Sequence, residues 1–235
     1  MAVLVSLSPH REQFVNRRPT LLAAIMLTGA TALTLSACGG GDSSGGKGSE
    51  KVAGTDTDAG VSKTPSVAAP PSAVADRPNV ELPSDITDEY EDWESGDDVK
   101  DDVLADIAAR IDATNDAIVK GDTGAPGLSF YYRDRALSGA VEWVREYEKA
   151  GLSFTGTTRY YDPRVTLASS TSATVVYCAD ESKGFNKNRK TGKVDRTPSD
   201  ESPYVLYNTR LEKSGKGVWQ TTVLTSKRGD RACAG

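Results

Sequence analysis

The chain has 235 residues, of which 28 are basic and 33 acidic, so its formal net charge at neutral pH is −5. This balance gives no reason to expect nucleic-acid binding, and a mean hydropathy of −0.43 excludes a protein with several membrane spans. No aromatic residue lies between Phe14 and Tyr90, so an aromatic core must form within roughly the last 150 residues.

The N-terminal segment has the layout of a signal peptide. Arg11, Arg17 and Arg18 form a positively charged region, and residues 20–37 are uncharged, mostly apolar and end in small side chains. We therefore predict a signal peptide over residues 1–37. The adjacent arginines leave both the general and the twin-arginine export routes open.

The end of this segment, Leu35-Ser36-Ala37-Cys38 followed by two glycines, resembles the lipobox of bacterial lipoproteins. The resemblance implies that diacylglycerol is attached to the Cys38 thiol, that cleavage falls between Ala37 and Cys38, and that the protein is anchored on the extracytoplasmic face of the cell membrane. Two acyl chains anchor a protein stably, whereas one binds only marginally. The alternative is an uncleaved membrane helix, for which about 18 apolar residues are barely long enough.

A linker follows the lipidation site. Residues 38–84 hold no aromatic residue and many Gly, Ser and Pro residues, which predicts a disordered stalk. An acidic stretch runs from Asp85 to Asp102, and its carboxylate spacing does not match the alternating ligands of a calcium loop. We interpret it as a solvated leader in which Tyr90 and Trp93 dock on a folded domain that spans residues 85–235.

The folded domain begins with helices. Apolar residues at helical spacing predict a helix from Asp98 to Lys120 that ends at Gly121, and a second helix from Arg135 to Ala150. Between them, residues 128–132 are predicted to form a short strand.

The second half of the domain is predicted to be strands. Alternating Thr, aromatic and β-branched residues place them at 153–160, 164–168, 173–179, 203–212 and 218–226, with a loop over residues 182–201. Helices followed by strands indicate an α+β fold, in which two or three helices pack on a curved antiparallel sheet of about four to six strands.

This order of elements resembles the cone fold of the nuclear transport factor 2-like family, also called the polyketide-cyclase or SnoaL-like type. The resemblance covers residues 97–227 and rests on element order. The run that begins Val176-Tyr177-Cys178 also resembles small secreted lipoproteins of actinobacteria, a family without an assigned activity. The cone fold implies an internal cavity, and dimerisation through the sheet is a further expectation.

Two cysteines remain besides Cys38. An oxidising compartment favours a disulfide between Cys178, late in a strand, and Cys233, near the C-terminus. The alternative is two free thiols.

Histidine chemistry is absent from the mature chain, because His10 leaves with the signal peptide. Ser-His-Asp and Cys-His mechanisms and imidazole zinc sites are therefore excluded, and we predict no metal and no cofactor. Cone-fold enzymes often use an Asp–His pair, from which this chain departs. Carboxylate acid–base catalysis would fall to four acidic residues on or near the helices, which are Asp112, Asp116, Asp134 and Glu142.

A basic segment lies within the predicted loop. Its candidate contacts with an anionic surface are Lys183, Lys187, Arg189, Lys190 and Lys193, with Phe185 among them. The alternative is a solvated hairpin extension.

The leading hypothesis is a non-enzymatic binding or scaffolding domain tethered to the membrane, holding a small apolar ligand or docking an envelope protein. The alternatives are a carboxylate-dependent hydro-lyase or isomerase and an envelope spacer without a pocket.

Overall fold

The computed structural model describes residues 76–196 and 200–234, all of which belong to one compact unit. The predicted lipidation site Cys38 and the signal peptide lie outside these residues. In chain order the elements are β1 (Ile86–Tyr90), α1 (Asp98–Lys120), α2 (Pro126–Tyr131), α3 (Asp134–Lys149), β2 (Leu152–Ser169), β3 (Ser172–Asn188), β4 (Tyr204–Lys213) and β5 (Trp219–Arg228). Among the described helices, none combines the length and apolarity that a bilayer crossing requires.

Helix α1 has the bounds that the sequence predicts. The Asp97 side chain caps its first turn by accepting hydrogen bonds from the backbone N–H groups of Val99 and Lys100. Gly121 ends the helix in the left-handed region, with φ of 65°, and its N–H bonds back to the last turn. The predicted second helix is α3, shifted by one residue.

The predicted short strand at residues 128–132 is wrong, because this segment is the helix α2. Pro126 occupies the first helical turn, where its missing N–H costs nothing. Leu128 and Tyr131 lie three residues apart and are both buried. Short apolar runs do not distinguish a strand from one helical turn.

The sheet has the strand order β1-β2-β3-β4-β5, and the predicted α+β class, with helices on a sheet of five strands, is confirmed. Strands β2 to β5 pair antiparallel, as predicted. Strand β1, which the sequence interpretation assigned to a solvated leader, instead pairs in parallel with β2. The three helices form the crossover that a parallel pair requires, since it cannot be joined by a tight turn. The sheet is therefore mixed.

The two strands predicted at 153–160 and 164–168 form the single strand β2. Asp162 has φ of 57°, and the register shifts between Tyr161 and Arg164, so the predicted turn is an irregularity that bends a continuous strand. The predicted loop from residue 182 is also wrong over its first part, because β3 continues to Asn188 in register with β2. Beyond it, Lys187 pairs with Val194 in a short hairpin.

The core consists of two clusters of buried side chains. One holds Tyr90 and Trp93, both 3% exposed, between α1 and the sheet, which confirms their predicted docking. The other joins the C-terminal part of α1 to α2 and α3. Residues of the predicted stalk also pack here, since Val80 lies against the second cluster and Arg77 pairs with Asp106 at 2.7 Å.

Candidate functional site

Aromatic rings fill the space between α1 and the sheet. Tyr90 stacks on Tyr160 and Tyr177 on Tyr207, with ring centroids 5.3 and 5.0 Å apart. Trp93 packs edge-on against Tyr177 at 5.4 Å. Offset and edge-to-face pairs of this kind add to the stability gained from burial. The interior at this level is a packed aromatic layer.

A buried arginine closes the layer from the helix side. Arg110 of α1 is 3% exposed and donates hydrogen bonds to the hydroxyls of Tyr132, at 2.9 Å, and Tyr177, at 2.7 Å. Its guanidinium also lies over the Tyr132 ring. Burial disfavours the charge, but the two phenol oxygens outweigh it and raise the pKa of Arg110. The side chain is therefore a fixed cation held by neutral partners.

A buried carboxylate, Asp106, lies in the N-terminal half of α1. This carboxylate accepts hydrogen bonds from the backbone N–H of Trp219, at 2.8 Å, and from Arg77, at 2.7 Å. Burial raises the pKa of Asp106, although both donors act in the opposite direction. The contacts tie α1 to the start of β5 and to the segment that precedes β1, so Asp106 has a structural role.

A pair of carboxyl groups lies between β1 and α1. Burial and the neighbouring Asp112 carboxyl raise the pKa of Asp88 to about 7, and burial raises the pKa of Asp112. Asn115 donates to Asp88 at 2.7 Å, and the Tyr90 hydroxyl donates to Asp112 at 3.0 Å. Asp88 Oδ1 is buried without a hydrogen-bond partner among the described residues, and the raised pKa lets Asp88 hold a proton near neutral pH.

Half-buried aromatic and aliphatic side chains pack against one another between α3 and the sheet. Tyr147 of α3 packs edge-on against Phe154 of β2 with centroids 6.4 Å apart, and Leu224 of β5 belongs to the same cluster. Burial and the nearby Glu181 carboxylate raise the pKa of both Tyr147 and Tyr207. We call this region the aromatic cleft.

A charge pair borders the aromatic cleft. Arg228 of β5 donates to Glu181 of β3 at 2.5 Å, and both tyrosine hydroxyls lie within the field of this pair. Neither the Tyr147 nor the Tyr207 hydroxyl bonds to another of the described residues. This region therefore combines apolar side chains with two hydroxyl groups that have no partner among the described residues.

Two depressions lie outside both the aromatic layer and the residues of the aromatic cleft. One, of about 240 Å³, runs beneath Pro78 and Val80 and reaches Lys120, and the other, of about 340 Å³, is bordered by Phe130 and Lys216. Neither is lined by Arg110 or by the carboxyl pair.

The four carboxylates proposed for catalysis do not form one site. Asp112 belongs to the carboxyl pair, and Asp116 is paired with Lys120 at 2.7 Å. Asp134 is exposed at the start of α3, and Glu142 lies on that helix paired with Arg145. Within the described ranges, no three acidic, His or Cys side chains are grouped so as to hold a metal ion.

The predicted basic contacts have separate roles. Lys187 pairs with Asp85 at 2.7 Å, and Arg189 donates to the C-terminal carbonyl oxygens of α1, at Ile118 and, at 2.7 Å, Val119. The exposed members of the predicted set are Lys183, Lys190 and Lys193.

The predicted disulfide between Cys178 and Cys233 is confirmed, with Cα atoms 5.5 Å apart. Tyr161 also donates to the backbone carbonyl of Cys233. The C-terminal tail is therefore fixed to the sheet. Ala37 and Cys38, the predicted cleavage and lipidation residues, lie outside the described residues.

Sequence reasoning did not identify Arg110, Asp88 or the aromatic cleft. Arg110 and Asp88 are ordinary charged residues in the sequence, and their burial follows from contacts with distant elements. The one local signal was the period of α1, in which Arg110 falls between Ile107 and Ile111 on the apolar face.

Comparisons with known proteins yield likenesses of fold only. No family model matches the sequence, and no match is found among curated proteins. Among solved structures, the intermembrane-space region of the chloroplast protein ARC6 is similar over 54% of this chain and 95% of its own, at 14% identity and a TM-score of 0.39. A ketosteroid isomerase-like protein from Erwinia carotovora atroseptica is similar over 54% of this chain and 95% of its own, at 21% identity and a TM-score of 0.35. Hexachlorocyclohexane dehydrochlorinase LinA-type3 from Novosphingobium barchaimii is similar over 55% of this chain and 87% of its own, at 13% identity and a TM-score of 0.37.

Proposed function

We propose that the protein is an extracytoplasmic lipoprotein whose folded domain binds a small, largely apolar ligand without converting it. Cys38 carries the lipid that anchors the chain, and the Gly/Ser/Pro-rich segment spaces the domain from the membrane. The observation that carries the proposal is the aromatic cleft, which leaves large rings half-exposed beside an interior that is otherwise packed.

The chemistry of the cleft defines the ligand class. Phe154 and Leu224 supply apolar contact, and the hydroxyls of Tyr147 and Tyr207 supply donors for one or two acceptor oxygens. Arg228 is held by Glu181 and is not available as an unpaired cation. The expected ligand is therefore neutral, with an aromatic or aliphatic body and a carbonyl or hydroxyl group.

Catalysis is favoured by one property of the fold, which is that burial and the Asp112 carboxyl raise the pKa of Asp88 to about 7. A carboxyl group that titrates near neutral pH suits the proton transfers of an isomerase or hydro-lyase. However, one Asp88 oxygen is held by Asn115, and neither of the two depressions is lined by Asp88. We therefore favour binding over turnover.

The proposal is tested first by native mass spectrometry of the protein extracted from its own membranes. We expect a small molecule to be retained in addition to the lipid on Cys38. The lipid itself is tested by Cys38→Ser, which should abolish processing and membrane retention. If several extractions yield a monomer or dimer that retains no apolar ligand, the result would favour the envelope spacer or a scaffold for an envelope protein.

The cleft is tested by titration with the uncharged probe N-phenyl-1-naphthylamine. Tyr147→Ala should weaken probe binding by about 10-fold, the effect of removing one ring from an apolar site. The matched control is Tyr204→Ala, because Tyr204 and Tyr207 project from opposite faces of β4. Equal binding by both variants would contradict the assignment.

A further inference from the structure

A hairpin concentrates positive charge in a chain whose net charge is −5. We define the basic hairpin as residues 183–196, in which the end of β3 turns back and Lys187 pairs with Val194. It contains the single acidic residue Asp195. The six basic residues are Lys183, Lys187, Arg189, Lys190, Lys193 and Arg196.

Half of these cations have structural partners. Lys187 pairs with Asp85, Arg189 caps the C-terminus of α1, and Arg196 stacks on the ring of Phe185 at 4.6 Å. These contacts fix the hairpin against the domain, and the Asn188 side chain holds the turn by accepting hydrogen bonds from the backbone N–H groups of residues 190 and 191. The hairpin is therefore a fixed projection of the sheet.

The other three cations are exposed and have no carboxylate partner within ion-pair distance among the described residues. They are Lys183 on β3, Lys190 in the turn and Lys193 on the returning strand. They occupy three separate positions along the backbone of the hairpin. This arrangement suits attraction to a surface with many negative charges better than the binding of one ion.

The basic hairpin and the aromatic cleft lie at the same end of the domain. Asn186 of the hairpin is paired with Phe154 of the cleft in the β2–β3 register. The backbone N–H of Arg189 donates to the carbonyl of Gly151 at 3.0 Å, and Gly151 follows directly on the helix that carries Tyr147. A surface that contacts the hairpin therefore faces this end of the domain.

We propose that the basic hairpin docks the domain on the anionic lipid surface of the membrane to which the chain is tethered. This proposal rests on the proposed function in one respect, which is that the lipid on Cys38 tethers the chain to the membrane. About 40 residues separate Cys38 from the described domain, so the tether holds the hairpin at a high effective concentration beside the membrane. Docking in this orientation brings the aromatic cleft close to the lipid, from which an apolar ligand can enter.

The test uses the mature chain from residue 38 with Cys38→Ser, which carries no acyl chains. It is mixed with vesicles of phosphatidylcholine and phosphatidylglycerol in equal amounts, and with vesicles of phosphatidylcholine alone, at ~0.02 M and ~0.5 M salt. Binding is measured by vesicle flotation. We expect binding to the anionic vesicles at low salt that is lost at high salt.

The variant Lys183→Gln/Lys190→Gln/Lys193→Gln should lower the vesicle affinity on the order of 100-fold, since each lysine near an anionic surface contributes about 5-fold. The matched control removes the same charge elsewhere and should retain most of the affinity. It carries Lys100→Gln, Lys216→Gln and Lys227→Gln.

Three results would overturn the proposal. They are equal affinity of the hairpin variant and the parent chain, an equal loss in the control variant, and binding to purified cell-wall polymer without binding to vesicles. Probe binding in the aromatic cleft is measured without vesicles, so failure of the hairpin proposal is distinguishable from failure of the proposed function.

Discussion

The carboxyl pair of Asp88 and Asp112 predicts an unusual dependence of stability on pH. In the unfolded chain Asp88 has an ordinary pKa of 3.8, and in the folded protein burial and the Asp112 carboxyl raise it to about 7. Folding therefore takes up a proton between these pH values. The free energy of unfolding falls as the pH rises from about 4 to about 7, because ionising Asp88 costs more in the folded protein than in the unfolded chain. Above about pH 7 it levels off, because Asp88 is then ionised in both states.

The magnitude follows from the two pKa values. At about 1.4 kcal/mol for each unit of pKa, the full difference corresponds to about 4 kcal/mol. Asp88 is half-buried, so solvent screens part of the repulsion, and we expect a loss of about 2 kcal/mol between pH 4 and pH 8.

The perturbation is Asp88→Asn. The amide is isosteric and can still accept from Asn115, but it cannot ionise. We expect the variant to exceed the parent protein by about 2 kcal/mol at pH 8 and to match it at pH 4. Urea denaturation at a series of pH values measures this, with the exposed Asp162→Asn as control. A parallel pH profile in the Asp88 variant and the parent protein would refute the raised pKa of Asp88.

Three further predictions concern the fold and are measured by urea denaturation. Reducing the disulfide, or replacing Cys178 and Cys233 by Ser, should cost about 4 kcal/mol, because the bridge closes a loop of 55 residues; an unchanged midpoint would show that the bridge does not restrict the unfolded chain. Gly156→Ala should cost at least about 2 kcal/mol, since φ is 105° and the methyl group would collide with a carbonyl oxygen of β3. The control Gly139→Ala has open space on the helix α3 and should stabilise by about 0.5–1 kcal/mol, so losses of equal size at both positions would contradict the steric argument. Trp93→Ala should cost about 3–5 kcal/mol, and a loss below 1 kcal/mol would show that its ring is not part of the core.

Local signals allowed the long helices to be predicted. Asp97 and Gly121 define the ends of α1 through hydrogen bonds within a few residues, so neighbouring sequence is sufficient. The segment at residues 128–132 was mistaken for a strand because a short segment with four apolar or aromatic residues fits either state, and its helical form depends on packing against α1 and α3.

The course of the sheet depends on contacts between distant residues. Strand β1 was not predicted, because its acidic residues indicated a solvated leader and its parallel partner β2 begins more than 60 residues later. The extension of β3 to Asn188 likewise depends on pairing with Leu152 across the hairpin. Composition suggested a loop there, because lysines and asparagines are usually found in solvated turns.

By itself the sequence determined the α+β class and the bounds of α1, because these follow from periodicity and capping, and the two cysteines besides Cys38 indicated the disulfide between Cys178 and Cys233. Only the tertiary structure decided which charges are buried and which cations are exposed. Arg110, Asp88 and Lys183 look alike as charged residues in the sequence, and their different roles come from desolvation and from partners that the fold brings together.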